Sequence, residues 1–389
     1  MRTYLIQIGL FILSFITTTL AGAELTSGKY WLDFGMGSPA DQLLKLEDFW
    51  LGLPYSLSFL TFLSFHEFGH YFAAVYHKVR SSLPYYIPIF IPIPGILNIG
   101  SFGAVIRLKE IPTSTRKFFD IGIAGPLAGF VVSIFLLLYG FMNLPPMESY
   151  VMEIEPFYEE QFGFVPEESI IIAALEAEEN YYGYYVGTNL LFELLKAIVP
   201  QDPAQVPNHF DLIHYPFLFV GYITLFFTAL NLLPMGQLDG GHVVYGMFGQ
   251  KKAGQVARVA LIGLLFFGGT GIMEFRGIGV WDFVSIGVYI LFLVYIFSKV
   301  LGRNNWQLIV YSTLLVLAVQ IILKWNFPTI QFNFIWLLYA WMVVRFIGLD
   351  HPRAFIEHKV NASRQFYGYL AILIFILCFT PTPLSVVGA

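Results

Sequence analysis

Residues 50–77 read WLGLPYSLSFLTFLSFHEFGHYFAAVYH, a run long and apolar enough to cross a bilayer that carries three histidines and a glutamate in its second half. A stretch of about 17 to 25 apolar residues spans the hydrocarbon layer as a helix, so a membrane helix is predicted here. A charged side chain in the middle of such a helix costs around 2.5–3.5 kcal/mol on insertion scales. Something outside the helix must offset that cost, and the spacing of His66, Glu67 and His70 suggests what. Residues four apart lie one above the other on a helix face, so His66 and His70 can offer imidazole nitrogens to one ion at about 2.0–2.1 Å, half of a tetrahedral zinc site. Glu67 lies about 100° round the helix from His66, beside such an ion rather than beneath it. That position suits a general base taking a proton from water. The bland reading, a Glu–His pair that only knits helices together, has no need of this spacing.

Working outward, the chain has 389 residues, 57% hydrophobic and only 12% charged, about half the charge of ordinary soluble proteins, with a mean hydropathy of +0.68. An all-α polytopic membrane protein is expected. About nine spans are read, near 3–20, 50–77, 118–142, 215–235, 255–272, 281–300, 306–324, 332–349 and 366–384. With 21 Lys+Arg against 26 Asp+Glu, a net charge of -5 and no basic block, a nucleic-acid partner is excluded. The single cysteine, Cys378, allows neither an intrachain disulfide nor a cysteine-based zinc knuckle. Any metal must therefore be held by His, Asp or Glu. Arg2, the apolar run after it and Ala21-Gly22-Ala23 also fit a secretory signal with a small-residue cleavage site, so residues 1–23 have two readings, retained span or removed signal.

Basic residues favour cytoplasmic loops. They gather after the second span (Lys78, Arg80, Arg107, Lys109, Arg116, Lys117), after the fourth (Lys251, Lys252, Arg258) and before the last (Arg353, Lys359, Arg364). Residues 143–214 are acidic instead, with Glu153, Glu155, Glu159, Glu160, Glu176, Glu178 and Glu179 against Lys196 alone. This insert is expected outside, either capping access or simply solvated. Between Ser82 and Gly103, Pro84, Pro88, Pro92 and Pro94 exclude a continuous spanning helix, and Ala104–Lys109 alternates like a strand. Apolar backbone of this kind survives at membrane depth only against protein or a wet cavity. A re-entrant or interfacial loop with a short β-hairpin on the cytoplasmic side is expected; a loop lying on the headgroups is the alternative.

A hydrolytic zinc keeps three protein ligands and one open position. His77 sits seven residues beyond His70, about 10.5 Å along the axis, too far for the same ion, and Tyr76 stands where a metzincin would place its third histidine. The better candidate ends the fourth span, in Asn231-Leu-Leu-Pro234-Met-Gly236-Gln-Leu-Asp239-Gly240-Gly241-His242. Pro234 breaks the helix, the glycines let the backbone turn, and Asp239 is offered into the bundle to complete a His2Asp set; His242 is a lower-ranked alternative. Asn231 could bond a substrate backbone or an oxyanion, or be an interhelical clasp. Gly122, Gly125, Pro126 and Gly129 in the third span read as close helix packing.

His66-Glu67-x-x-His70 in one span, Asn231-x-x-Pro234-x-x-x-Leu238-Asp239-Gly240 in a later one and Gly125-Pro126 between them resemble the site-2 protease family of intramembrane zinc metalloproteases, peptidase family M50. The resemblance covers about residues 50–250. It implies Zn2+ held by His66, His70 and Asp239, Glu67 as catalytic base, and a hairpin over Gly100–Glu110 that pairs with an unwound substrate strand. It also implies regulated proteolysis of single-span membrane proteins. There is no room for a PDZ domain between the motifs, only the acidic insert, and about five spans follow the core, which looks like the plastid and bacterial branch without PDZ domains. The expected division is therefore an N-terminal segment 1–49, a metalloprotease core 50–250 containing the 143–214 insert, and additional spans 251–389, in a bacterial cytoplasmic membrane. Two rivals are weighed against it. A secondary transporter would show two halves with paired interruptions, which the chain lacks. A prenyl-protein type of membrane zinc protease takes its third ligand from a glutamate, against which Asp239-Gly240 argues.

Overall fold

A computed structural model describes residues 2–32, 43–91, 97–177, 182–270, 272, 280–327 and 333–388. Pro92, Pro94, Glu178, Glu179 and the side chain of Glu176 lie outside the described residues. The structure is mostly helical, with small sheets only. In chain order come α1 (Arg2–Ser27), α2 (Leu53–Tyr76), β1 (Tyr85–Pro88), β2 (Ser101–Val105) and α3 (Thr115–Met142). The acidic insert follows as α4 (Met147–Ile154), α5 (Pro156–Gln161), α6 (Glu168–Ala177), β3 (Tyr182–Val186) and α7 (Leu190–Ile198). Then come α8 (Pro216–Leu232), α9 (Asp239–Phe248), α10 (Gln250–Thr270), α11 (Val280–Leu301), α12 (Trp306–Asn326), α13 (Ile335–Met342), α14 (Ala362–Cys378) and β4 (Leu384–Gly388). Among the described residues five helices are long and apolar enough to cross a membrane, and α8, α14 and α13 with the turn to Ile347 are shorter apolar helices. The chain is an integral membrane protein.

The core is the stack of α2, α3, α8 and α9. Small residues let backbones touch where side chains would hold them apart. Gly69 of α2 faces the Ala124 carbonyl, where a Cβ would come within 2.6 Å of it, and Gly129 of α3 sits 2.8 Å, by the same measure, from the Phe62 ring. Beyond this core the C-terminal helices are clasped by Gln320, buried in α12, whose amide donates to the Leu265 and Phe266 carbonyls and to the Tyr289 hydroxyl at 2.8–3.1 Å.

The proline-rich stretch forms an antiparallel pair, Tyr85 opposite Val105 and Tyr86 opposite Ala104. The ladder extends toward its base through Ser82 N to Arg107 O at 2.9 Å and Lys109 N to Arg80 O at 2.8 Å. The pair lies alongside α1. Gln7 of α1 donates to the Leu83 carbonyl at 2.7 Å, Thr17 to the Gly100 carbonyl at 2.7 Å, and Asn98 to the Glu24 carboxylate at 2.7 Å. From Gln7 to Glu24 is about 25 Å of helix, most of the roughly 30 Å of hydrocarbon. Gly100 has φ +83, and its missing side chain lets the hairpin sit directly on the Thr17–Thr18 backbone. α1 thus carries a buried polar stripe of Gln7, Ser14, Thr17 and Thr18. Removal of residues 1–23 as a signal would strip those partners from the hairpin.

The insert is folded. His214 Nδ1 donates to the Leu25 carbonyl at 2.6 Å, anchoring the insert on α1, and its Nε2 meets Glu155 at 3.0 Å. Asp211, 1% exposed, accepts from Tyr158 and Asn208. Burial pushes the Asp211 carboxyl up to about 6. Burial works against a charge on His214, but the bond to Glu155 and the nearby carboxylates outweigh it and hold its pKa above the ordinary value. The last span read from sequence, 366–384, stops at Cys378, because Pro381 and Pro383 cannot continue a helix. Leu384–Gly388 instead pairs antiparallel with β3, joining the C-terminal end to the insert.

Candidate metal centre

α2 places His66 and His70 on one face, both buried. His70 Nδ1 donates to the Ile121 carbonyl of α3 at 2.7 Å, which fixes the tautomer and leaves a lone pair on Nε2, the usual outer support of a metal-binding imidazole. Gly125 makes room for that ring: a Cβ there would fall on His70 Nε2. Asp239 arrives by a broken backbone. α8 ends at Leu232, Pro234 follows, and Gly236 takes φ +53 with its N–H on the Leu349 carbonyl at 3.1 Å. Any side chain on Gly240 or Gly241 would strike the carbonyls of Leu232 or Gly236. The chain can fold back this tightly only with glycine there, and Asp239 becomes the first residue of α9.

The three donor atoms converge. His66 Nε2 and His70 Nε2 are 3.1 Å apart, and Asp239 Oδ2 is 3.3 Å from His70 Nε2 and 3.6 Å from His66 Nε2. Tetrahedral bonds of 2.0–2.1 Å set ligand atoms about 3.3 Å apart, so the set fits a zinc-sized ion without rearrangement. Among the described residues it is the one group of three or more His, Cys, Asp or Glu with such convergence. It opens on a cavity of about 480 Å³ whose wall includes Glu67, Ile106, Asn231, His242 and Tyr339.

The match to known proteins falls on the same residues. The sequence model of Peptidase family M50 matches residues 54–268, more than half of the chain, including both motifs. The chain belongs to peptidase family M50. The M50 chain is 30% identical over 243 residues, 62% of its length, to the probable zinc metalloprotease EGY1, chloroplastic, of Arabidopsis thaliana, covering 38% of that protein. It is 30% identical over 237 residues to the rice (japonica) protein of the same name, 60% of the chain and 35% of the relative. The rice (indica) probable zinc metalloprotease EGY2, chloroplastic, is 28% identical over 228 residues, 59% and 34%. The chain thus spans little more than a third of these relatives' lengths. No solved structure matches it significantly.

In the M50 chain Glu67 is 6% exposed, beside the three donors, and its carboxylate accepts the backbone N–H of Ile106 just past β2. Asn231 lines the cavity and has no side-chain hydrogen bond among the described residues. His77, set aside as a ligand, bonds Asp120 at 2.7 Å, and Asp120 also receives Arg364 of α14 at 2.6 and 2.8 Å. His242 is likewise outside the donor set, bonded instead to His351. Sequence reasoning missed Tyr339, whose hydroxyl donates to the Leu230 carbonyl at 3.0 Å. It lies 100 residues beyond Asp239 and 269 beyond His70, with no local pattern to mark it.

Proposed function

We propose that the protein is an intramembrane zinc metalloprotease that hydrolyses peptide bonds in or near the transmembrane segment of single-span membrane proteins. The observation that carries this is the convergence of His66, His70 and Asp239 within 3.6 Å beside Glu67 at the wall of one cavity. Those three residues would hold the zinc. When bound it polarises a scissile carbonyl and brings the pKa of water to around 7. Glu67 accepts the proton of the attacking water and returns it to the leaving amine nitrogen. Asn231 donates its amide to the oxygen that gathers charge as the carbonyl is attacked. Phe102–Ile106, along the cavity, offer a strand to which an unwound substrate adds as another. A helical substrate must unwind first, since its carbonyls are otherwise bonded internally.

Nine helices cross the bilayer in this reading, α1, α2, α3, α8 and α10–α14, with the hairpin re-entering from the cytoplasm along α1. The division into 1–49, a core over 50–250 and additional spans over 251–389 follows the same reading, as do the bacterial cytoplasmic membrane and the insert's outer position. The test is a purified full-length chain in lipid vesicles with a single-span reporter. Cleavage within the reporter's span by the wild type but not by Glu67→Gln supports it. Equal cleavage by the two, or wild-type cleavage confined to the reporter's soluble part, would overturn it.

A further inference from the structure

Two of the histidines outside the donor set, His242 and His351, are joined in a chain whose direction can be read. His351 lies in the segment between α13 and α14, outside the part matched by the family model, and is 4% exposed. Its Nδ1 is 2.6 Å from the Pro352 carbonyl, and its Nε2 is 2.6 Å from His242 Nδ1. A carbonyl only accepts, so His351 Nδ1 carries the hydrogen. Burial and the adjacent His242 push His351 down to about 3, so the ring is neutral at pH 7 and Nε2 is an acceptor. His242 Nδ1 must then be the donor, and its Nε2 is left with a lone pair. His242 lines the cavity beside Asn231, Asp239 and Tyr339, and Nε2 has no partner among the described residues.

The rings are locked in place. Phe118 stacks on His242, 5.4 Å between centroids, and Tyr245 on His351, 4.1 Å. Gly122 leaves room for the edge of His242: a Cβ there would come within 2.5 Å of the His242 Cβ. The segment that carries His351 is tied back by Gln250 to the His351 carbonyl at 2.8 Å, by the Ala354 N–H to the Tyr245 hydroxyl at 2.9 Å, and by that hydroxyl to Glu357 at 2.8 Å.

We propose that His351 is a positioning residue which fixes His242 with its hydrogen on Nδ1, so that His242 Nε2 stands in the cavity as a neutral acceptor for an amide N–H of the bound substrate strand. The choice of donor rests on the proteolytic reading above; the tautomer does not. The pair ties the segment before α14 to the wall of the site, giving the C-terminal spans a part in substrate binding.

The test is ¹⁵N spectroscopy of histidine-labelled full-length protein in bilayers at pH 7, which separates the two neutral tautomers without any reaction taking place. His242 is expected with hydrogen on Nδ1 in the wild type and in Glu67→Gln. It should move to a mixture in His351→Leu and recover in His351→Gln, whose amide oxygen can accept. A wild-type His242 protonated on Nε2 would overturn the proposal with no variant needed, and so would an unchanged tautomer in folded His351→Leu. In cleavage assays His351→Leu and His242→Leu should each raise KM about three- to tenfold, the loss of one hydrogen bond, with kcat nearly kept. A fall in kcat alone would contradict the substrate-binding role, whereas absence of cleavage in the wild type would sink the proteolytic reading and leave the tautomer standing.

Discussion

α1 and α2 are neighbouring helices that both bury polar side chains, and they do so to opposite ends. On α1 the groups are spread out: Gln7, Thr17 and Glu24 are distributed over about 25 Å, and each meets a different part of the hairpin. On α2 they converge: His66 Nε2 and His70 Nε2 point at one spot, with Asp239 brought to the same place from another helix. Dispersed polar atoms, each with neutral partners of its own, build structure. Convergent atoms whose lone pairs have only one another to face build a site, because their mutual repulsion is relieved only by a cation.

Four changes sharpen or break that contrast. The largest effect belongs to Glu67. Glu67→Gln should lower peptide hydrolysis by about 10²–10⁴-fold, the usual worth of a general base, while bound zinc stays within error of the wild type; a variant that loses metal as well would place Glu67 among the ligands. Gly125→Ala comes next. Its methyl would displace the His70 ring, and overpacking costs typically about 1–3 kcal/mol, so zinc affinity measured by chelator competition should fall at least about fivefold while helical content stays. Unchanged affinity would mean that α3 does not shape the site.

On α1, Thr17→Val removes the donor to Gly100 without changing shape. Interhelical hydrogen bonds in membranes average about 0.6 kcal/mol and reach about 1.7, so unfolding in mixed micelles should shift by that amount, Thr17→Ser should restore it, and zinc content should not move. Loss of zinc in Thr17→Val would erase the distinction between the two helices. The smallest effect is on the 143–214 insert. Asp211 has its pKa raised from 3.8 to about 6, and His214 is raised above 6.5. Each favours the protonated, folded form, the Asp211 contribution fading between about pH 4 and 6 and that of His214 as pH climbs above 6.5. Amide exchange over residues 147–161 should therefore quicken, after correction for intrinsic rates, as pH climbs above 6.5. His214→Gln should flatten that change.

The membrane class and the donor set were legible because each leaves a local trace. A long apolar run reads as a helix from composition alone, and His66, His70 and Asp239 stand in motifs whose spacing follows from helix geometry and glycine turns. That the proline-rich stretch interrupts the helices was readable too, since proline cannot continue one, although the strand expected at Ala104–Lys109 falls at Ser101–Val105. What the hairpin leans on was not. The polar stripe of α1 is made of threonine, serine and glutamine, which are common in membrane helices, and its run into Ala21-Gly22-Ala23 also fits a removable signal. Tyr339 and His351 owe their places to the packing of α13 and of the segment that follows it against α8 and α9, contacts across about a hundred residues that no periodicity encodes. The strand pair β3–β4 was hidden likewise, since Leu384–Gly388 is apolar in the manner of the span before it.

The most direct test of the convergent site is the zinc content, by plasma mass spectrometry, of the purified full-length protein beside Asp239→Ala and Glu67→Gln. About one zinc per chain is expected in the wild type and in Glu67→Gln, with most of it gone in folded Asp239→Ala, as a three-ligand site requires. Folded wild-type protein without stoichiometric metal, or Asp239→Ala holding as much zinc as the wild type, would contradict it.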